Sequence, residues 1–477
     1  MIRKSPRNAH LSRSEQITTA LATKHLSGTS SIIFFLLLTA LVFAPVAFGA
    51  VDLWASGILT LIAFLIVVLW LFEAWKTGEF FFNTNRLQIP IIGFILIGLI
   101  QLLPLRSPDV GGLLSVSAAS ALSLDPYTTR FAVVQLCVYL VFFAACLTFI
   151  DSSKRLKKTV LFIIIFGALM AFFGILQRLA NPEGIYGVRP TPYAVPFGSF
   201  VNQHHFAAFM EMTIGVTLGL LYNKSTKKDK RLLLVIAVVI MGIALVFTSS
   251  RGGVLSLFGV IGFITLISFL RKNTDEEDAE DATPKSSFQS KFALIGGGLA
   301  LILVLFGSIL LLGGGESLTR GIGFISQSDI SNGRAHFWSV TLQIIRDYPL
   351  FGAGLNAYGI AFTRYDTWNG SLRIEQAHND YLQIFADAGI FGFICAIAFV
   401  YFLFKQGLEK INQTTDRFRR GVAAGALAGC FGILLHSFFD FPLRTPSNAF
   451  YFLTLVTLVV VSVGSSKFKE KNGTLIG

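Results

Sequence analysis

Twelve apolar runs, each about as long as a membrane-spanning helix, punctuate this chain. They fall at 31–50, 53–72, 89–105, 130–150, 159–180, 203–222, 232–248, 253–270, 293–312, 380–404, 421–440 and 446–464. A helix that crosses the hydrocarbon core needs roughly 20 predominantly apolar residues. The runs therefore predict an all-α, polytopic membrane protein of about 12 transmembrane helices. Composition agrees: 14% of residues are charged and 53% hydrophobic, whereas soluble domains carry about 25% charged residues. The first run admits a second reading, a signal peptide ending near the small residues Ala47 to Ala50. It is longer than a usual h-region and follows a long polar, basic segment, so a spanning helix is the better reading.

Loop charges test the count, because a wrong number of spans would scramble the sign of every later loop. With the N-terminus inside, Lys154-Arg155-Leu156-Lys157-Lys158, Lys224 to Arg231, Arg417 to Arg420 and Lys467 to Lys471 all face the cytosol. So do 28 of the 39 basic residues, including every one of the 18 lysines. The net charge of +12 then follows from loop orientation, and nucleic acid is set aside as a partner. Residues 1–30 become a cytoplasmic tail, 31–312 helices one to nine, 313–378 an outer loop, 379–464 helices ten to twelve and 465–477 a second cytoplasmic tail. Cys137, Cys146, Cys395 and Cys430 all lie in apolar runs, without a CxxC or a neighbouring histidine. They read as small core residues.

Two polar stretches interrupt the pattern. Asn273 to Lys291 is acidic and lacks large aliphatic residues, which predicts a disordered cytoplasmic linker. In the outer loop, Phe337, Trp338, Thr341, Leu342, Ile344 and Ile345 recur at helical spacing behind Ser331 or Asn332 as N-cap. An amphipathic helix at the membrane surface is expected there, ending near Tyr348-Pro349. A second short helix is expected from Asn356 to Tyr365, after the Gly352-Ala353-Gly354 turn.

The eleven outer basic residues are all arginine: Arg106, Arg130, Arg178, Arg189, Arg251, Arg320, Arg334, Arg346, Arg364, Arg373 and Arg444. For most of them an ordinary loop role suffices. A guanidinium is nevertheless a rigid fork of donors suited to phosphate. Arg251 lies in Thr248-Ser249-Ser250-Arg251-Gly252-Gly253, at the hydrocarbon boundary, where a charge usually faces a cavity or a partner rather than snorkelling to headgroups. The glycines after it let a large anion approach the backbone. Arg189 sits in the proline-stiffened Gly187-Val188-Arg189-Pro190-Thr191-Pro192, and Asn202 is placed to cap the span that follows.

Among the histidines, His204 and His205 point about 100° apart on a helix, so they make no two-ligand metal face and read as capping or packing groups. His336 reads as surface packing. His378 opens Gln376-Ala377-His378-Asn379-Asp380-Tyr381 at the head of the tenth span. An imidazole is the side chain best suited to take a proton from a hydroxyl near neutral pH; a structural hydrogen bond is the competing role. His436 and Asp440 stand four apart, close to Arg444. They could orient one another, and a helix-ending structural pair is the preferred reading. No magnesium-ligand aspartate pair, phosphate-binding glycine loop or HExxH is present. The expectation is a reaction at the outer face without metal or other cofactor, with arginines holding a diphosphate leaving group and one histidine as base.

Thr248 to Gly253 (TSSRGG), the SNGR and Trp pattern of Ser331 to Trp338, the Tyr348 to Gly354 turn (YPLFGAG) and Ala377 to Gly392 (AHNDYLQIFADAGIFG) together resemble the O-antigen ligase and polymerase superfamily of bacterial envelope proteins. FGSFVNQHHFA and HSFFDFPLRTPSNAF look like its flanking signatures. The resemblance implies a GT-C-like glycosyltransferase in the bacterial inner membrane, with both termini cytoplasmic. It would act at the periplasmic face, without metal, on undecaprenyl-diphosphate-linked glycans. By that analogy Arg189 and Arg251 bind the diphosphate, Arg334 occupies a recurrent family position beside them, and His378 activates the acceptor hydroxyl for inverting attack. Asn202, His436, Asp440 and Arg444 would support the site. The acceptor would be lipid A core for a ligase or another lipid-linked glycan for a polymerase, and the motifs are common to both. Some protein-glycosylating relatives carry a large C-terminal periplasmic domain that these residues do not match, so a protein acceptor is not expected.

A transporter is the alternative from another class. Carriers place ionisable residues near mid-membrane and often have two similar halves. Here Glu211, Asp387 and Arg178 are the main charges within the apolar runs, and the long outer loop divides the chain unequally. Flux in proteoliposomes without a glycan product would favour a carrier.

Overall fold

A computed structural model describes residues 28–106, 120–180, 183–192, 194–223, 228–277, 333–368 and 373–461. In chain order the helices are α1 (Gly28–Val46), α2 (Leu53–Thr77), α3 (Gln88–Gln101), α4 (Pro126–Phe149), α5 (Ser153–Ala180), α6 (Gln203–Tyr222), α7 (Lys228–Phe247), α8 (Arg251–Glu277), α9 (Arg334–Asp347), α10 (Tyr358–Thr363), α11 (Asp380–Gln413), α12 (Arg417–His436) and α13 (Pro446–Val460). Among the described residues nine helices are long and apolar enough to cross a membrane, with α3 and α13 as shorter apolar helices. Eleven of the twelve expected spans thus coincide with helices. The remaining run, 293–312, lies outside the described residues.

Several helix starts follow from the residue that precedes them. Asp125 accepts from Thr128 N with Pro126 in the first turn. Asn202 accepts from His204 N, Asn379 from Tyr381 N and Leu382 N, and Asp416 from Arg419 N. Each side chain satisfies amide groups that the helix itself leaves unpaired.

At the centre, α6 and α12 pack with almost no space between their backbones. A Cβ at Gly215 would stand 2.6 Å from Gly429 N, and one at Gly425 would stand 2.6 Å from Gly215 O. Small residues four apart let spanning helices approach in this way.

The loops sort into two sets. At one end, buried Arg155 joins α5 to Phe149 O and Ser30 Oγ at 3.0 and 2.9 Å. At that end Asn85 also meets Gln406 at 2.8 Å and Arg420 meets Asn223 at 3.2 Å. At the other end Ser199 Oγ donates to Pro45 O at 2.7 Å, and Asp380 N to Ser437 O at 2.9 Å.

The outer loop folds back onto the bundle. α9 buries Phe337, Val340 and Ile344 against Tyr358, Ala361 and Phe362 of α10 and against Ala377 and Ala386. Leu342, on the same helix, stays 57% exposed. The residue that caps α9 is Gly333, with φ 80° and no side-chain cap bond; Ser331 and Asn332, the expected caps, lie outside the described residues. α8 runs on to Glu277, so the linker expected from Asn273 begins as helix, and its remainder also lies outside the described residues. All four cysteines are free.

A break in α11 receives the Tyr348 to Gly354 turn. Gly389 has φ 63° and ψ −163°, a conformation open to glycine alone. The interruption lets the carbonyls of Ala386 and Asp387 accept from Ala353 N and Gly354 N at 2.8 and 3.1 Å, while Ile390 N donates to Pro349 O at 2.8 Å. Gln101 of α3 closes the joint, donating to Asp387 O at 2.8 Å and accepting from Leu355 N at 2.9 Å. The head of α11 is held in turn by the segment after α12, Asp380 N donating to Ser437 O at 2.9 Å and Asn379 Nδ2 to Phe438 O at 3.2 Å.

Candidate functional site

His378 has φ 50°, a left-handed conformation uncommon for residues with a Cβ and tolerated by histidine. Immediately before the cap Asn379, its imidazole lies between two aromatic rings. Phe337 of α9 stacks at 5.9 Å and Phe441 meets it edge-on at 4.9 Å. Nδ1 is 3.1 Å from Asp440 Oδ1, so the geometry assigns the Nδ1 proton to that bond and leaves Nε2 as the acceptor.

Asp440 follows the end of α12 and its side chain is 1% exposed. Burial disfavours its charge, but the His378 hydrogen bond and the imidazole of His204 outweigh burial and hold the carboxyl well below the ordinary carboxylate range. Oδ1 also accepts from Phe441 N at 3.0 Å. Oδ2 is buried without a hydrogen-bond partner, and Arg334 Nη2, from the first residue of α9, lies 4.0 Å from it.

Arg251 is the first residue of α8. The preceding Ser250 caps that helix, its Oγ accepting from Gly253 N at 3.1 Å and meeting His204 Nδ1 at 2.8 Å. Ser249, with φ 55°, makes the sharp turn between α7 and α8. The ring of His436 presses on Gly252, where a Cβ would stand 3.0 Å from Nε2. An exposed arginine and the positive end of a helix dipole therefore occur together at this turn.

Sequence reasoning paired His436 with Asp440, and the structure corrects it. α12 ends at His436, so Asp440 is not one turn further along the same helix. His436 Nδ1 instead meets Glu211 Oε1 of α6 at 2.8 Å, with both side chains at most 1% exposed. A buried carboxylate needs such a partner, and Asp440 turns to His378. The link across 62 residues carries no local signal, whereas Glu211 was visible as a charge in an apolar run.

Arg189 lies on a neighbouring hairpin. Nη2 pairs with Asp52 Oδ1 at 2.8 Å and the guanidinium covers Phe48 at 4.6 Å, while Nη1 is buried without a hydrogen-bond partner. The turn between α1 and α2, on which Arg189 packs, reaches the histidine cluster through Gly49. A Cβ there would be 3.1 Å from Thr445 Cγ2, and Thr445 Oγ1 bonds His205 Nδ1 at 2.6 Å. Arg444 is tied to Asn356 Oδ1 at 2.9 Å and to Asp387, so it braces the joint in α11. Asn202 caps α6, as its sequence position suggested. Among the described residues no group of three His, Cys, Asp or Glu side chains could hold a metal ion.

The structure thus brings His378, Asp440 and Arg334 together, and it joins His204, whose charged neighbours they are, to Ser250, the residue before Arg251. It keeps Arg189 on the adjoining hairpin. Such an arrangement can take a proton and neutralise a polyanion.

Residues 236–397 match the family model described as O-Antigen ligase. The match includes Arg251, Arg334 and His378 and stops short of Asp440. No curated protein matches the chain.

Proposed function

Because residues 236–397 match the family model described as O-Antigen ligase, we propose that the chain is a ligase-type glycosyltransferase of the O-antigen ligase and polymerase superfamily. It moves a glycan from undecaprenyl diphosphate to lipid A core, at the periplasmic face of the inner membrane, with both termini in the cytosol. The observation that carries this reading is the His378–Asp440 pair at 3.1 Å with Arg334 on its far carboxylate oxygen.

His378 Nε2 takes the proton of the acceptor hydroxyl as that oxygen attacks the anomeric carbon, and Asp440 holds the ring and stabilises the imidazolium that forms. The bond from the anomeric carbon to the diphosphate oxygen breaks with inversion. The charge released is met by Arg251 at the α8 N-terminus and by Arg334. Arg189, on the adjoining hairpin and paired with Asp52, is the third guanidinium assigned to the diphosphate. His436 acts on this site by supporting the Gly252 turn.

The test is transfer by the purified protein in lipid nanodiscs, from a defined undecaprenyl-diphosphate glycan to lipid A core, with and without chelator. His378→Ala should lose at least about 100-fold of the rate, and Arg251→Ala a comparable factor, with membrane insertion unchanged and wild-type transfer persisting in chelator. Full transfer by both variants would remove the mechanism. Extension of a second lipid-linked glycan in place of lipid A core would make the protein a polymerase.

A further inference from the structure

Trp368 is 44% exposed on the outer face, in the segment after α10, and its indole is held flat by groups the proposed chemistry does not use. His336 stacks on it with centroids 4.4 Å apart and planes 8° from parallel. Asp366 locks both partners: Oδ1 bonds His336 Nε2 at 2.8 Å and accepts from the Trp368 backbone N–H at 3.0 Å. Gly333 leaves room for the ring edge, since a Cβ there would come within 3.0 Å of the indole. Nearly half of its surface stays open, with one face backed by His336 and the backbone braced by Asp366.

Its position gives that arrangement a use. Phe337 lies 5.7 Å from Trp368 and 5.9 Å from His378. The indole and the imidazole are therefore at most about 12 Å apart by ring centroids, a span of one or two linked sugar rings. An acceptor whose hydroxyl reaches His378 must lay its next rings over the surrounding surface. The carbon-bound hydrogens on one face of a pyranose pack against an aromatic π-face, as apolar groups pack on aromatic rings elsewhere.

Resting on the glycosyltransferase reading above, we propose that Trp368, backed by His336 and braced by Asp366, is the stacking platform for a pyranose ring of the acceptor saccharide. It acts in binding and orientation and leaves proton transfer to His378. An outward tryptophan could instead anchor the loop among lipid headgroups, and the experiment separates the two.

The probe is the oligosaccharide released from lipopolysaccharide by mild acid, added to the full-length protein in nanodiscs. Saturation-transfer NMR reports which sugar hydrogens touch the protein, and transfer kinetics give the acceptor KM. Trp368→Leu should abolish the saturation transfer and raise acceptor KM by about tenfold, with donor KM unchanged. Trp368→Phe keeps a smaller ring over His336 and should raise it by about threefold; this graded order remains a test even where the leucine variant folds poorly. His378→Ala should lose transfer and keep the NMR contact. Equal NMR contact in wild type and Trp368→Leu, no contact in wild type, or parallel loss of donor and acceptor affinity as for a lipid anchor would each overturn the platform. Wild-type protein that shows the Trp368-dependent contact but transfers nothing would keep the platform and remove the transferase reading.

Discussion

Asp440 concentrates what a single residue does here, because it is a buried carboxylate kept charged by its neighbours. The His378 hydrogen bond fixes which imidazole nitrogen carries the proton, and the ring's stack on Phe337 fixes its direction. Asp440→Asn preserves shape and removes charge, so the amide can present the wrong group to Nδ1. Transfer should fall by roughly one to two orders of magnitude, with donor binding retained. Since the folded carboxyl titrates below its unfolded value, its contribution to stability is complete above about pH 4, the unfolded value. It shrinks as pH drops and is lost as pH passes through the lower folded value. The melting-temperature gap between wild type and Asp440→Asn should hence stay constant from about pH 5 to 8 and narrow in acid. A gap that widens in acid would contradict the assignment. His378 was legible in the sequence from its position before a span. Its partner was not, because helix periodicity carried Asp440 toward His436 and gave no sign that α12 stops there.

At the scale of elements, the joint between the Tyr348 to Gly354 turn and α11 connects the outer loop to the membrane bundle. Apolar run length made the helices readable, and Asn202 was readable as a cap. The break at Gly389 was not readable, since a glycine in AlaAspAlaGly within an apolar run looks like an ordinary helical residue. What requires it is tertiary: a Cβ at Gly389 would strike Leu350 O and come within 2.7 Å of Gly352 N. Gly389→Ala must therefore either straighten α11, losing the Ala353 and Gly354 hydrogen bonds, or hold a strained backbone. We expect a loss of at least roughly 2 kcal/mol, read as a lower melting temperature and faster proteolysis of the outer loop. Since α11 carries His378 at its head, transfer should fall although no substrate-binding group has changed. A variant that melts and digests like wild type would show that the joint does not hold the loop. The close α6 and α12 contact was equally hidden, because Gly215 and Gly425 reveal their purpose only when the two helices are brought together.

For the whole molecule, everything proposed depends on His378, Asp440, Arg251 and Arg334 lying at the end opposite the lysine-bearing loops. Charge bias is what assigns the sides in the sequence, because lysines collect on the cytosolic side of a bilayer. How distant loops would meet within one end was out of reach, since side-chain convergence is set by packing, which no local pattern encodes. α11 offers the direct check. It has 34 residues, up to about 50 Å of helix, with exposed Arg373 ahead of it and exposed Thr415 beyond it. In a background with Cys137, Cys146, Cys395 and Cys430 replaced by alanine, Arg373→Cys should react with a membrane-impermeant maleimide in intact spheroplasts. Thr415→Cys should react only after lysis. The reverse pattern would put the histidine, its carboxylate and the arginines in the cytosol, where a periplasmic acceptor could never meet them. Equal labelling of both sites before lysis would mean that α11 does not cross the membrane.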